Sequence, residues 1–461
     1  MADVTTLTTA PATPPPVRPK LMSLDDALLR LLAVAQERVI PEIEKLATFD
    51  ALGRVLARPV VSALDVPPAD NTSMDGYALC AADVPVVGTV LPISQRLPAG
   101  VVGAALLPGT AVRIFTGAQV PAGADAVVMQ EQCEALAGAT GFDAAADAAG
   151  AAGVADAAGA AGAAPLGRVR INTLPQPGQW IRRRAEDVQH GAEVLAVGTR
   201  LTPQALGLAA SVGASRLTLR RRPRVALFST GDELVMPGES LKPGAIYNSN
   251  RFMLRGLLQA AGCEVADLGI VPDRLDATRE ALRRAALGND LILTSGGVSV
   301  GEEDHIKPAV KAEGWLEAWA LAIKPGKPLA FGAVRRGDRG DDSDSDTEAL
   351  FIGLPGNPVS SFVTFLLAVA PVLRAIQGCA QALPAAVQVR ADFDWPQPDA
   401  RREFLRARFN AQGGVELFPN QSSGVLTSAV WADGLVDNPP GQVIQRGDSV
   451  RLLLLSSLIG G

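Results

Sequence analysis

Residues 291–304 read LILTSGGVSVGEED. A short, uninterrupted apolar run of the kind that forms a fully buried strand gives way to two glycines, and three consecutive acids follow. The same alternation recurs along the chain. RVALFST (224–230) leads through a loop to the helical NRFMLRGLLQAAG (250–262), and EVADLGIV (264–271) precedes LDATREALRRAAL (275–287). DLILTS (290–295) precedes a helix expected near Glu303, and ALFIGL (349–354) precedes PVSSFVTFLLAV (358–369). Continuously apolar strands that alternate with helices predict a mostly parallel sheet covered on both faces, a three-layer α/β domain over 217–382.

Outward from this domain the rhythm changes. SLDDALLRLLAVAQ (23–36) reads as an amphipathic helix whose first free amides Ser23 or Asp25 caps. It is assigned, over 21–61 with 172–216, to an elongated helix/strand domain. RPVVSALDVPPAD (58–70), DVPVVGTVLPI (83–93) and TAVRIFTGAQVPAGADAVVM (110–129) are short β-branched runs broken by Pro and Gly, which predict a β-rich module over 62–171. Residues 134–167 are nearly pure Ala, Gly and Asp and read as a surface insertion, and RRGDRGDDSDSDTE (335–348) as a solvated hairpin tip. Short strands return over 383–461 as a small C-terminal β domain, and residues 1–20 read as a disordered tail.

The chain has 461 residues, more than one core usually organises, and a formal charge of −6 that argues against coating nucleic acid. Its four cysteines form no CxxC and its two histidines are isolated, so neither a zinc site nor a disulfide framework is expected. The N-terminus has no apolar core of the signal-peptide kind. FVTFLLAVAPVL (362–373) is shorter than the roughly 20 residues that span a bilayer. A soluble, cytoplasmic protein is expected, with neither membrane nor nucleic-acid partner.

In an open parallel sheet, ligands bind beyond the carboxyl ends of the strands. Three such ends carry unusual loops: FSTGDEL (228–234), TSGGVSVGEED (294–304) and GLPGNPVSS (353–361). In the last, Asn357 can cap a helix opened by Pro358, leaving the amides of Val359 and Ser360 for an anion. Walker-type and GxGxxG signatures are absent. AIKPGKPLAFG (322–332) holds Lys324 and Lys327 close between prolines. Asp232 and Asp304 would lie near the anion, and acids beside a phosphate repel it unless a hard cation intervenes. Mg²⁺, bound by Asp232 and Asp304, fits that place. No serine has a plausible histidine base and no cysteine a charged neighbourhood, so a covalent mechanism has no support.

LDVPPADNTSMDGYAL (64–79), RIFTGAQVPAGADAVVMQEQ (113–132), IRRRAEDV (181–188), VALFSTGDEL (225–234), TSGGVSVGEED, AIKPGKPLAFG and GLPGNPVS occur in order. Together they resemble the molybdopterin molybdenumtransferases, similar to the C-terminal domain of gephyrin, from about Leu21 to the end. The resemblance implies a transferase of molybdenum cofactor biosynthesis: Mg²⁺-dependent insertion of molybdate into adenylylated molybdopterin with release of AMP. It also implies a homodimer whose active site is shared between subunits, and transient contact with the adenylylating enzyme.

Carried over by motif, Asp75, Thr116 and Glu186 reach the site from the partner subunit, while Asp232, Asp273 and Asp304 belong to the α/β side. Ser295, Gly296, Gly297, Ser299, Lys324, Lys327, Pro355, Gly356, Asn357, Pro358 and Ser360 are the expected substrate-binding residues, with Arg406 of EFLRARF (403–409) and Ser423 of NQSSG (420–424) from the last domain. Molybdate is a tetrahedral dianion suited to hydroxyls, amides and lysines, and its thiol ligands come from the pterin dithiolene, so no metal-binding cysteine is required. Ala185 stands where the family usually has glycine, His305 where it commonly has an aromatic, and Ala320 where some relatives carry lysine. The alternative readings are a molybdopterin adenylyltransferase, which shares the GGVS-type domain but lacks the upstream blocks, and a non-enzymatic scaffold, which would leave the acidic and lysine loops idle.

Overall fold

The computed structural model describes residues 21–136, 166–298, 305–337 and 348–460. The tail, most of the Ala/Gly/Asp tract, the acidic stretch 338–347, and two expected site residues, Ser299 and Asp304, lie outside these residues.

The centre is a six-stranded sheet in the order Glu264–Val271, Arg224–Thr230, Leu291–Ser295, Glu348–Leu354, Pro328–Arg335, Gly314–Ala320. The first four strands run parallel, and the last two join antiparallel. One face buries Val225, Leu227, Leu293 and Ile352; the other buries Ala226, Phe228, Ile292 and Phe351. That alternation within continuously apolar strands is what two covered faces require. The antiparallel edge lay unread in the sequence because its strand Gly314–Ala320, GWLEAWA, is only partly buried and carries no βαβ rhythm.

Pro358–Ile376 is one helical run of 19 residues with mean hydropathy 2.0, longer than the apolar stretch alone suggested and long enough by length to cross a membrane. Every residue of its apolar window is buried within the fold, so here it serves as a core helix. Helix Leu24–Gln36, N-capped by the Ser23 hydroxyl accepting from the Asp26 amide at 3.0 Å, buries Leu24, Ala27, Leu31 and Ala35 in that same core. The sequence groups it in one domain with 172–216. Instead, Leu56, Val188, Leu201, Ala209, Leu217 and Leu219 form their own cluster, beside the ribbon Ile43–Ala47 with Arg216–Arg220.

The β-rich module is a six-stranded sheet in the order Ala126–Met129, Gly76–Leu79, Ala111–Ile114, Thr89–Leu97, Arg168–Ile171, Cys133–Leu136. The Ala/Gly tract therefore begins after Leu136, since Glu134–Leu136 pair with Arg168–Arg170. The C-terminal sheet contains Arg402–Phe409, Gly434–Asn438, Ser449–Leu454 and Ala386–Arg390. Its edge is completed from elsewhere: Ile323–Lys324 pair in parallel with Arg402–Glu403.

Candidate active site

A cleft of about 620 Å³ opens beyond the carboxyl ends of the parallel strands, lined by residues drawn only from the stretch Thr230–Ser423. An adjoining lobe of about 520 Å³ reaches Tyr247, Asn248 and Asn250. Three strand-end loops form the floor. Gly296 and Gly297 follow Leu291–Ser295, both with left-handed backbone (φ 89° and 65°). A Cβ on Gly297 would meet the Ile306 side chain at 2.5 Å, so the turn has no room for a larger residue there unless Ile306 moves.

The loop Pro355–Asn357 is pinned from below. Asn250 Nδ2 donates to the Gly356 carbonyl at 2.7 Å, and the Ser361 hydroxyl donates to the Pro355 carbonyl. Asn357 precedes the helix without a side-chain capping bond, and the Val359 amide donates to the Ser423 carbonyl at 3.0 Å. The two-amide anion site expected at this helix start is thus reduced, and Ser360 is the residue of the pair that lines the cleft.

Lys324, Lys327, Pro355, Gly356, Asn357, Ser360, Asp273, Gly296, Gly297 and Ser423 all line the cleft; Ser295 and Pro358 line the adjoining lobe. In the first loop, Glu233 lines both spaces and Asp232 lines neither. Asp232 instead accepts the Asp273 amide at 3.3 Å and so carries the neighbouring loop. Two adjacent acids cannot be told apart by spacing when Gly231 (φ 140°) breaks the alternation of the strand before them. Among the described residues, the Glu233 and Asp273 carboxylates accept no hydrogen bond, and the Lys327 ammonium makes none.

Lys324 differs. Its ammonium lies 3.2 Å from Glu403 and 3.4 Å from Asp399. Asp399 is chelated by Arg401, another lining residue that sequence reading passed over, and the Arg401 hydrogen bonds hold its carboxyl below the usual range. Arg406 does not reach the cleft. It is 1% exposed, donates to Ser428 Oγ (3.1 Å) and the Phe404 carbonyl (3.1 Å), and exchanges backbone contacts with the Gln421 amide group. Burial without a carboxylate partner pushes its guanidinium down to about 10. It is a strut under the loop that presents Gln421, Ser422 and Ser423.

The upstream residues form a second constellation. Asp75 Oδ1 accepts from both the amide and the hydroxyl of Thr116 at 2.7 Å, which hold its carboxyl below the usual range. Asp70 accepts the Arg184 amide (2.8 Å) and Arg183 Nη1 (2.7 Å), and Glu186 accepts the Arg183 amide at 2.8 Å. None of these residues lines the cleft of its own chain. Burial lifts the Cys133 and Cys263 thiols to about 12, far from thiolate near neutral pH.

Three family models cover the chain in succession: the MoeA N-terminal region (domain I and II) over 22–213, a "Probable molybdopterin binding domain" over 226–375 and the MoeA C-terminal region (domain IV) over 388–455. A molybdopterin molybdenumtransferase of Haemophilus influenzae is 35% identical over 89% of this chain and 92% of its own. The chain belongs to the molybdopterin molybdenumtransferase family. A Nostoc member is 33% identical over 88% of this chain and 87% of its own. The solved molybdopterin biosynthesis moeA protein of Pyrococcus horikoshii superposes with a TM-score of 0.74 at 27% identity, covering 94% of this chain and all of that one. Membership in the molybdopterin molybdenumtransferases makes the protein a transferase of molybdenum cofactor biosynthesis, acting on a molybdopterin-related substrate.

Proposed function

We propose that the cleft inserts molybdate into adenylylated molybdopterin and releases AMP, with Mg²⁺ as cofactor. The observation that carries the reading is the pattern of unspent charge. Glu233 and Asp273 line the cleft without a donor among the described residues, and Lys327 lines it without a carboxylate. An anionic substrate beside two free carboxylates requires a cation between them. The described residues contain no cluster of three or more metal-ligating side chains, and Mg²⁺ needs none, because it binds through one or two carboxylates, water and substrate phosphate. Glu233 and Asp273 would hold it, with Asp304 a further ligand by the sequence argument. Bound there, Mg²⁺ would neutralise charge on the phosphoanhydride.

The chain's own groups then divide the work. The Gly296 amide is taken by the Leu354 carbonyl at 3.1 Å, so the Gly297 amide and the Ser360 hydroxyl are the groups offered to phosphate or molybdate oxygens. Lys327 offers an exposed ammonium, and Ser422 and Ser423 close the rim from a loop of the C-terminal domain. Asp75, Thr116 and Glu186 are read as completing the site of the partner subunit in a homodimer. Their separation from the cleft of their own chain supports that reading. The reaction places the protein in the cytoplasm, in transient contact with the enzyme that supplies the adenylylated pterin. Relatives named molybdenumtransferase over nine-tenths of their length disfavour the adenylyltransferase alternative. Purified protein given adenylylated molybdopterin should release AMP only with both molybdate and Mg²⁺. Release that ignores molybdate would overturn the assignment.

A further inference from the structure

We propose that Glu403, a carboxylate of the C-terminal sheet outside the cleft, is a positioning residue that fixes Lys324 at the cleft rim. The inference rests on the anion-binding reading above. Glu403 is fully buried. Its Oε2 accepts from Trp395 Nε1 at 2.8 Å and from the Asp399 amide at 3.1 Å, which leaves Oε1 to the Lys324 ammonium at 3.2 Å. Asp399, the other carboxylate near Lys324, already has Arg401 on both oxygens at 2.9 Å. Lys324 is the cation in direct contact with Glu403, with the Arg401 charge acting from further off, and a buried carboxylate holds such a partner firmly because losing it leaves the charge poorly compensated.

The backbone repeats the constraint. Lys324 stands opposite Glu403 in the parallel pairing of Ile323–Lys324 with Arg402–Glu403, and the Arg402 amide donates to the Ala322 carbonyl at 2.9 Å. Three residues on, Lys327 is exposed and makes no ion pair among the described residues. One turn therefore presents two lysines in different states: Lys324 ordered before any anion arrives, Lys327 ordered only by the anion. Ordering a long side chain in advance lowers the entropic cost of binding.

Two opposite outcomes follow for Glu403→Gln, which keeps an acceptor for Trp395 and removes the charge. If Glu403 positions Lys324, half-saturating molybdate in the AMP-release assay rises about tenfold. If Glu403 only cancels positive charge at the rim, its loss tightens molybdate, and the proposal fails. Lys324→Gln should produce a similar rise, and Glu403→Gln added to it should change nothing more. Multiplying effects would mean that Glu403 acts independently of Lys324, and would also overturn the proposal. A second measurement needs no substrate and so separates failure of this inference from failure of the functional reading. Brief acylation with an N-hydroxysuccinimide ester, read by mass spectrometry, should label Lys327 faster than Lys324 in the wild type and at comparable rates in Glu403→Gln. An unchanged ratio would sink the proposal. Should Glu403→Gln not fold, Glu403→Asp, which keeps the charge and shortens its reach, is read in the same two assays.

Discussion

The cleft at the sheet ends and the acidic edge of the β-rich module spend their charges in opposite ways. At the edge, Asp65, Asp70, Asp75 and Glu186 each accept hydrogen bonds from Thr116, Arg183, Arg184 or the His190 amide. In the cleft, Glu233 and Asp273 accept none among the described residues, and Lys327 is likewise unpaired there. Satisfied groups hold a chain in shape. Unsatisfied charged groups on a concave surface are held in place by the fold and answered by a ligand. The contrast gives one region groups whose positions are fixed by their own bonds before any ligand arrives, and the other charges that a ligand must answer.

Replacing the unspent cleft groups is the sharpest way to break this contrast. Glu233→Gln or Asp273→Asn should lower molybdate-dependent AMP release by roughly 10²-fold or more, the scale of losing one preorganised electrostatic partner. Thermal midpoints should stay near wild type, because no internal bond is lost. A variant that melts early while keeping its turnover would reverse the roles assigned to the two regions. Next in size is the test of the edge as a contributor to another subunit. Asp75→Asn chains and Asp273→Asn chains, each inactive alone, should regain AMP release when unfolded together and refolded as a mixture. A mixture as inactive as its components would remove the shared site.

Acid should separate the same two regions through stability. The Asp65, Asp70 and Asp75 carboxyls all titrate below their ordinary value in the folded chain, lowered chiefly by the His190 amide, the Arg184 amide and the Thr116 hydroxyl respectively. A carboxyl depressed by folding contributes stability that is fully present above its unfolded pKa and is lost as pH falls through the folded value. Amide exchange over 65–75 and 178–190 should therefore quicken as pH drops below about 4, after correction for intrinsic rates. Asp70→Asn should flatten that dependence. If the strands at the cleft loosen first, the edge is not where acid-sensitive bonding resides.

What could be read in the sequence was whatever local chemistry decides. Gly296–Gly297, the lysine turn and the Gly-Asn-Pro loop announce themselves because their residues restrict or free the backbone wherever they occur. The helix Leu24–Gln36 was legible as a helix and its cap was narrowed to Ser23 or Asp25, of which Ser23 takes the role, but its partner was not, since amphipathy names a buried face without naming the core. Glu233 was hidden behind Asp232 for the same kind of reason: with Gly231 at φ 140°, strand alternation no longer says which neighbour turns inward. Lys324 was visible as a cation, whereas Glu403 and Asp399 are 79 and 75 residues further along the chain and meet it only through strand pairing. Arg406 carried a plausible anion-binding chemistry, yet its depth in the C-terminal sheet is a property of packing alone.

The smallest expected effect concerns backbone strain, where the two regions also differ. The left-handed positions Gly296, Gly297 and Gly326 at the cleft are glycines, which adopt that conformation freely. The two non-glycine residues with positive φ among the described residues, Trp180 (56°) and Ala185 (61°), both lie at the edge. Each is held there by its bonds: the Trp180 carbonyl accepts from the Ser73 amide (3.0 Å) and hydroxyl (3.1 Å), and the Ala185 amide donates to the Pro67 carbonyl (3.0 Å). A left-handed backbone favours glycine, and alanine at position 185 costs about 1–2 kcal/mol in the folded chain. Glycine returns part of that gain through its freer unfolded state, about 0.4–1 kcal/mol. Ala185→Gly should raise the thermal midpoint by about 1–2 °C and leave AMP release unchanged. A fall in the midpoint would mean that the surrounding bonds relieve the strain at Ala185, and that the edge owes its shape to its satisfied charges alone.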